Sequence, residues 1–209
     1  MMTDMTMDNF LAVLSSSEPV PGGGGACGYV AAVGMSLGNM VLALTTGKKK
    51  YAEYQEEIEE LIVKATDLTK KLAECMDKDA ESFKPLAAAY VLPKNTEEQI
   101  KEREAIMAKA LVTASEAPLS MMELILEAMK LIDRISVIGS RIAISDAGVG
   151  ITMCEAAMKG ASLNVFINTK LMKNIDVAED MNTKADELVI TGNELADKIY
   201  DRVMDCVHP

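Results

Sequence analysis

The sequence predicts an all-α protein, an antiparallel helical bundle with a central apolar helix and no sheet. Apolar residues recur with a helical period over long stretches, most clearly between Tyr51 and Met76. The 209 residues include sixteen methionines and no tryptophan, a composition typical of packing between helices. The β-prone patch from Val165 to Ile167 is too isolated to build a sheet. We therefore expect one helical domain that spans residues 1–209.

The N-terminal part is predicted to contain two helices separated by a glycine-rich stretch. Residues 4–15 form a short amphipathic helix, capped by Thr3 or Asp4. Four consecutive glycines, Gly22–Gly25, follow, and we expect a loop there because glycine loses most backbone entropy on ordering. The uncharged run that lasts until Lys48 then predicts a helix of about six turns. Two interpretations of the glycines stay open: an anion site at the helix N-terminus, or a flexible lead into a core helix.

The same uncharged run is long enough to cross a bilayer. It begins, however, with Pro21 and the glycines, and it contains Ser36 and Asn39. No second span of this kind occurs in the sequence. We therefore expect no membrane association and prefer a helix at the centre of the bundle, where its small residues allow another helix, a second subunit or a ligand to approach.

The next predicted helix is the clearest in the chain. It begins near Tyr51, and we expect Pro85 to bend or restart it. The segment 92–95 then interrupts the chain, and either Asn95 or Thr96 caps the following helix.

Prolines and glycines are expected to divide the second half of the chain. One helix lasts to about Glu116, and Pro118 restarts the next at its first turn. A further apolar stretch is predicted to close at Gly148 or Gly150, and a helix of small residues follows. The last predicted helix covers residues 177–207, with its apolar side chains on one face.

Charge and cysteine content narrow the classes of partner. The formal charge of −11 disfavours a nucleic-acid partner, which requires basic clusters. The four cysteines have no CxxC spacing and the one histidine, His208, is next to the C-terminus, so we expect neither a metal site nor a disulfide framework. The N-terminus lacks the features of a signal peptide, and we expect a cytoplasmic protein.

Carboxylate, lysine and asparagine side chains are the first candidates for chemistry. Asp77 and Asp79 flank Lys78, which is compatible with either a solvated acidic face or a catalytic carboxylate. Lys94 and Asn95 lie between a proline and a helix start, where a loop lysine beside an N-cap is the ordinary structural interpretation.

Further candidates lie in apolar surroundings later in the chain. Asp146 precedes two glycines, and its carboxylate has two possible partners, Arg141 or a ligand. Asn164 and Asn168 are one helical turn apart, so their amides share a face and must find partners in the core or on a ligand.

Five motifs, taken together and in this order, resemble those of the cyclodeaminase/cyclohydrolase family. That family comprises the C-terminal domain of formiminotransferase-cyclodeaminase and the stand-alone methenyltetrahydrofolate cyclohydrolases of the same fold. The resemblance extends over nearly the whole chain. The motifs are Pro19-Val20-Pro21-Gly22-Gly23-Gly24, Asp77-Lys78-Asp79-Ala80-Glu81-Ser82-Phe83, Leu92-Pro93-Lys94-Asn95-Thr96, Ser145-Asp146-Ala147-Gly148-Val149-Gly150 and Asn164-Val165-Phe166-Ile167-Asn168.

The resemblance implies a helical homodimer that handles one-carbon units on tetrahydrofolate. A methenyl-folate carries a delocalised cation, and its hydrolysis needs a base for the attacking water and a proton donor for N5. At the motif positions, Asp79 is the candidate base and cation stabiliser, with the nearby Asp77 as the other possible base. Lys94 is the candidate proton donor, or the donor of a hydrogen bond to the developing oxyanion. This chemistry calls for neither a metal nor a redox cofactor.

The resemblance also implies which residues bind the folate. Asp146 suits the N–H donors of the pterin ring, with further hydrogen bonds from Asn164 and Asn168. Lys48, Lys49 and the backbone N–H groups of the glycines are candidates for the anionic glutamate tail. The binding set expected to surround the catalytic pair is completed by Asp77, Asn95, Gly22, Gly23 and Gly24.

Three functions are compatible with these residues. Hydrolysis of 5,10-methenyltetrahydrofolate to 10-formyltetrahydrofolate is the first, and we favour it because no formiminotransferase segment accompanies the motifs. Ammonia-releasing cyclodeamination of formimidoyltetrahydrofolate is the second, since it uses nearly the same groups. The third is a non-catalytic helical dimerisation module, with Gly28, Gly34 and Gly38 at the dimer seam.

Overall fold

The computed structural model describes residues 1–208, and in this part it contains six α-helices and no strand. Short 3₁₀ turns cover Met2–Asp4, Lys49–Tyr54 and Arg141–Ala143. The predicted all-α class is therefore confirmed. The helices are α1 (Met7–Leu14), α2 (Gly23–Ala43), α3 (Gln55–Tyr90), α4 (Glu97–Ile138), α5 (Ile144–Thr169) and α6 (Ile175–Val207).

Helix α2 packs against α3, α4 and α5, and it is antiparallel to α5. The contacts between α2 and α5 show the direction, since Gly34 lies beside Gly150 whereas Gly23 lies beside Asn164. Helix α6 completes the bundle against α4 and α5. The buried side chains form one continuous core, rich in Met, Ile and Ala, as the composition predicts.

The glycines within α2 contact other helices of the same chain. A Cβ atom at Gly28 would lie 3.1 Å from the Leu72 carbonyl oxygen on α3, and one at Gly38 would lie 3.3 Å from Ile132 on α4. At Gly34 the Cβ atom would lie 2.7 Å from the Gly150 carbonyl oxygen on α5. These glycines therefore serve close packing inside the bundle, and the prediction that they form a dimer seam is wrong.

The prediction of a loop over Gly22–Gly25 is wrong for three of the four residues. Gly22 is the N-cap of α2, and Gly23, Gly24 and Gly25 form its first turn. The entropy argument holds for an isolated helix, but here the Asp79 carboxylate leaves no room for a side chain at Gly24, and Pro21 leaves little at Gly25. Tertiary packing therefore overrides the low helix propensity of glycine.

Neither internal proline ends its helix. Pro85 lies inside α3, and Pro118 lies inside α4, which continues without a break to Ile138. The predicted restart at Pro118 is therefore wrong, since buried residues on both sides of the proline hold the helix in place. The break falls instead at Gly139, and the glycines predicted to close a helix, Gly148 and Gly150, lie within α5.

Side-chain caps mark three helix starts. Thr6, rather than Thr3 or Asp4, caps α1, since its Oγ1 accepts a hydrogen bond from the Asn9 backbone N–H at 3.2 Å. Thr96 caps α4 in the same way, which confirms one of the two predicted caps. Asn174 caps α6 through the backbone N–H of Val177.

Helix α2 is long and apolar enough to cross a membrane by length and composition, yet it packs within the bundle. Its burial is incomplete, because one apolar stripe remains accessible beside a similar stripe on α5. Both stripes follow a spacing of four and three residues, which keeps them on one side of each helix. We call this surface the α2–α5 face; it consists of Ala26, Val30, Val33, Leu37, Met40 and Leu44 with Val149, Met153, Ala156, Gly160, Leu163 and Ile167.

The contact between α2 and α5 predicts a position-dependent response to glycine substitution. Gly34→Ala should lower the free energy of unfolding by about 2 kcal/mol, because its methyl group meets the Gly150 backbone and cannot be accommodated by a rotamer change. Gly192→Ala is the matched control, since its methyl group would lie 3.4 Å from the flexible Met158 side chain. There the gain in helix propensity should leave stability equal or higher. Urea unfolding measures both, and equal losses would contradict this account of the helix contact.

Candidate active site

A cavity of about 200 Å³ lies at the N-terminal end of α2, between α3, α4 and α5. The segment before α2 and the first turn of that helix form one wall, and side chains from the other three helices form the rest. The lining residues are Pro19, Val20, Gly22, Gly23, Gly24, Asp79, Ser82, Phe83, Ala114, Asn164, Ile167 and Asn168.

Asp79 is the carboxylate of this cavity. It lies on α3 with its side chain pressed against the first turn of α2, so that a Cβ atom at Gly24 would be 2.1 Å from its Oδ1 atom. Only a residue without a side chain can occupy position 24 while Asp79 keeps this orientation. The absence of a side chain at Gly24 therefore allows the Asp79 carboxylate to lie against the start of α2.

The environment of Asp79 raises the pKa of its carboxyl group above the ordinary value. Burial is the main cause, because it disfavours the charged form, and a hydrogen bond from the Gly25 backbone partly opposes it. The carboxylate also occupies the positive end of the α2 dipole, where Gly22 offers no side-chain cap. The Asp79 carboxyl group is thus half-buried and has an enhanced proton affinity.

The amide nitrogens of Asn164 and Asn168 donate to backbone carbonyl groups. The Nδ2 group of Asn164 donates to the Gly160 carbonyl at 2.9 Å, and that of Asn168 donates to the Ala114 carbonyl at 3.0 Å. Because a carbonyl oxygen can only accept, the amide nitrogens must face these partners and the Oδ1 atoms face away from them. Both residues line the cavity, so they add acceptors beside Asp79.

Backbone donors complete the polar surface. The N–H group of Ala26 donates to the Gly22 carbonyl, so those of Gly23, Gly24 and Gly25 precede the first intrahelical bond of α2. Among the described residues that line the cavity, none carries a positive charge. The cavity therefore combines a carboxylate, two amide oxygens and helix N-terminal N–H groups.

Six of the twelve residues predicted for the site meet at this cavity: Gly22, Gly23, Gly24, Asp79, Asn164 and Asn168. They come from three helices that are distant in sequence. The other six lining residues were not among the predicted site residues: Pro19, Val20, Ser82, Phe83, Ala114 and Ile167. The signal for Ser82 and Phe83 was their position one helical turn after Asp79, within the same motif.

Lys48, Lys49 and Asp146 lie at the opposite end of α2 and α5 from the cavity. Asp146 precedes Asn164 on α5 by eighteen residues, or about 27 Å of helix. Lys48 follows the C-terminus of α2, where its Nζ donates to the Ser140 hydroxyl at 3.3 Å. Within one chain, therefore, the structure does not bring these residues to the cavity.

The other predicted residues also lie away from the cavity. Asp77 accepts a hydrogen bond from the Met2 backbone N–H at 2.9 Å, so it holds the N-terminal segment against α3. Lys94 and Asn95 are exposed in the loop between α3 and α4, where the Asn95 N–H donates to the Gln99 side chain. The catalytic role predicted for Lys94 stays a prediction.

Among residues 1–208, no group of three or more His, Cys, Asp or Glu side chains is arranged to hold a metal ion. The four cysteines are free thiols, and burial raises the pKa of Cys27, near Asp79, to about 11. That thiol is therefore a poor nucleophile at neutral pH.

The formiminotransferase-cyclodeaminase family model matches residues 6–187 of the chain. This chain belongs to the formiminotransferase-cyclodeaminase family. It is 36% identical to a methenyltetrahydrofolate cyclohydrolase of Methylorubrum extorquens, over 97% of this chain and 98% of that protein. It is also 28% identical to the rat formimidoyltransferase-cyclodeaminase, over 81% of this chain and 31% of that longer protein.

The fold of this family member agrees with a solved relative. The crystal structure of formiminotetrahydrofolate cyclodeaminase from Thermotoga maritima superposes with a TM-score of 0.82, covering 99% of this chain and 98% of that one. The two sequences are 22% identical, so this likeness concerns the fold.

The raised pKa of Asp79 predicts a stability gain in Asp79→Asn. Because the pKa of Asp79 is raised in the folded protein, its protonated form stabilises the fold relative to its ionised form. This contribution is complete at pH values below the unfolded-state pKa and is lost as the pH rises through the folded-state pKa. The neutral variant avoids that loss, so its melting temperature at pH 7 should be higher by the order of 2 °C. The difference should vanish near pH 3, as thermal unfolding followed by circular dichroism can show. Glu194→Gln, at an exposed carboxylate, is the control and should show no such pH-dependent gain.

Proposed function

We propose that this protein hydrolyses 5,10-methenyltetrahydrofolate to 10-formyltetrahydrofolate. The observation that carries the proposal is the Asp79 carboxylate, with its raised pKa, in a cavity that also holds two amide oxygens and helix N-terminal N–H groups. The 36% identity to a full-length methenyltetrahydrofolate cyclohydrolase supports it. A cationic, N–H-rich ligand suits this acceptor-rich wall.

The size of the cavity indicates which part of the substrate it takes. Sites for whole drug-sized ligands are about 300–1,000 Å³ in volume, whereas this cavity has about 200 Å³. We infer that the pterin ring and the adjoining one-carbon bridge enter it, against Phe83 and Ile167, while the benzoylglutamate part remains outside.

Asp79 acts as the general base. The methenyl carbon joins N5 and N10 and shares their positive charge, which the ionised carboxylate stabilises. Water attacks this carbon, a C–O bond forms, and one water proton moves to Asp79. The raised pKa makes the carboxylate a stronger base than an exposed aspartate.

Ring opening then completes the hydrolysis. The bond between the carbon and N5 breaks as the hydroxyl oxygen loses its proton and becomes the formyl carbonyl. N5 takes up one proton, which Asp79 can return, so the reaction releases one proton in total. The N–H groups of the first α2 turn lie where they can donate to the developing oxygen charge.

Turnover of the methenyl chromophore tests this function. Purified protein should accelerate the loss of methenyl absorbance above the spontaneous rate, and Asp79→Asn should lower kcat by about 100-fold or more, since general base catalysis contributes 10²–10⁴-fold. Lys94→Ala tests the predicted proton donor in the same assay. A wild-type rate in Asp79→Asn would contradict the assigned base.

The alternative reaction has the opposite signal in this assay. A cyclodeaminase would produce the methenyl chromophore from formimidoyltetrahydrofolate and release ammonia. We keep this second candidate because cyclodeaminases occur among the relatives at 28% identity. Efficient chromophore formation without hydrolysis would exclude the cyclohydrolase assignment.

We also propose a cytoplasmic homodimer formed through the α2–α5 face. This face is about 30 Å long and about 20 Å wide, or roughly 600 Å² in projection, which approaches the area per partner of a stable interface. Its exposed side chains include Leu163 and Ile167, at 67% and 60% exposure. The stripes are self-complementary because a twofold axis can place α2 and α5 against their own copies.

The twofold arrangement also explains the separated candidate residues. Because α2 and α5 are antiparallel, an axis through the middle of the face places the Lys48 end of one protomer opposite the cavity end of its partner. Lys48, Lys49 and Asp146 would then approach the cavity across the interface. The two lysines would bring positive charge to a cavity whose described lining residues carry none. The anionic glutamate tail of the substrate requires such a charge.

A charge placed on the α2–α5 face should separate the protomers. Ala156→Glu, at an exposed position of the α5 stripe, should yield a monomer by light scattering and reduce turnover at least tenfold if the site needs both subunits. Val63→Glu is the matched control, since Val63 is 69% exposed on α3 outside this face. A dimer with wild-type activity in Ala156→Glu would contradict this interface.

A further inference from the structure

The proline inside α4 leaves one carbonyl group without its helical partner. In an α-helix the carbonyl of residue 114 accepts from the N–H of residue 118, and Pro118 has no N–H. The Ala114 carbonyl therefore needs another donor. Ala114 lines the cavity, and Pro118 itself is buried one turn further along α4.

Asn168 supplies that donor from a different helix. Its Nδ2 group donates to the Ala114 carbonyl at 3.0 Å, across the contact between α5 and α4. This bond fixes which end of the amide faces α4. Because the nitrogen is engaged there, Oδ1 remains as an acceptor.

We propose that Pro118 is a positioning residue. By leaving the Ala114 carbonyl free to accept from Asn168, it turns the Asn168 Oδ1 atom toward the cavity. There this oxygen accepts a hydrogen bond from the N–H donor edge of the bound pterin. This inference rests on the proposed function for the identity of the ligand. It assigns Asn168 a direction, since its Oδ1 atom accepts from the 2-amino group or N3–H of the ring. An ordinary residue at position 118 would satisfy Ala114 within α4 and leave the Asn168 amide free to rotate.

The second internal proline provides a contrast. Pro85 lies in α3, where it likewise removes the donor for the carbonyl of Glu81. Glu81 is exposed and does not line the cavity, and its carbonyl has no asparagine partner. Pro85 therefore perturbs a cavity-wall helix as Pro118 does, but without any connection to Asn168.

The test compares two ligands in four proteins. Tetrahydrofolate and an analogue with methyl in place of the 2-amino group are titrated into the wild type, Asn168→Leu, Pro118→Ala and Pro85→Ala, with binding measured by calorimetry. The wild type should prefer tetrahydrofolate by about tenfold, as expected for one hydrogen bond. Asn168→Leu should bind both ligands equally, and Pro118→Ala should lose at least threefold of the preference. Pro85→Ala should retain the wild-type preference.

Each outcome separates a positioning role from a structural one. A purely structural proline predicts only a higher melting temperature in Pro118→Ala, because alanine is the better helix former, with an unchanged preference between ligands. That result, or an unchanged preference in Asn168→Leu, would overturn the proposal. The experiment measures binding. A protein that distinguishes the two ligands but does not turn over methenyl-folate would therefore refute the proposed reaction and leave this inference standing. Absence of binding to either ligand would overturn it.

Discussion

The contact between the Asp79 carboxylate and the first turn of α2 is the constraint on which the rest of the site depends. The carboxylate occupies space that any side chain at Gly24 would fill, and it meets the N–H groups at the positive end of the helix. Burial raises its pKa, and the Gly25 hydrogen bond limits that rise. The glycine run thus has two roles: it lets α3 approach α2, and it gives a base a polar, half-buried environment.

Residues that usually end helices serve here to shape helices that continue. The glycines at the start of α2 and those at its crossing with α5 allow backbones to approach closely, at positions where propensity alone predicts a loop or a helix end. Pro118 leaves the hydrogen-bonded register of α4 intact except for one carbonyl, which Asn168 then occupies. Local propensity therefore marked the unusual positions but predicted the wrong conformation for them, because it contains no information on contacts with other helices.

The predicted site residues fall into two groups at opposite ends of α2 and α5. Asp79, Asn164 and Asn168 lie with the glycines at one end, and Lys48 and Asp146 lie at the other. In one protomer the Asp79 carboxylate is half-buried, and none of the described residues that line its cavity carries a positive charge. An exposed apolar face runs between the two groups, as the proposed dimer with a site completed by a second copy requires. The separation of the predicted residues into two groups and the position of the apolar face between them would then both follow from the antiparallel direction of α2 and α5.

The sequence by itself determined the helical class, most of the core and the family resemblance, because helical periodicity and short motifs are local properties. It also placed Asp79, Asn164 and Asn168 among the candidates, and the structure brings them together in one cavity. Only the tertiary structure decided that Gly23–Gly25 are helical, that Pro118 does not end α4, and that Lys94 does not line the cavity of Asp79. The physical reason is that each of these outcomes depends on atoms from another helix, whose distance and direction no local pattern encodes.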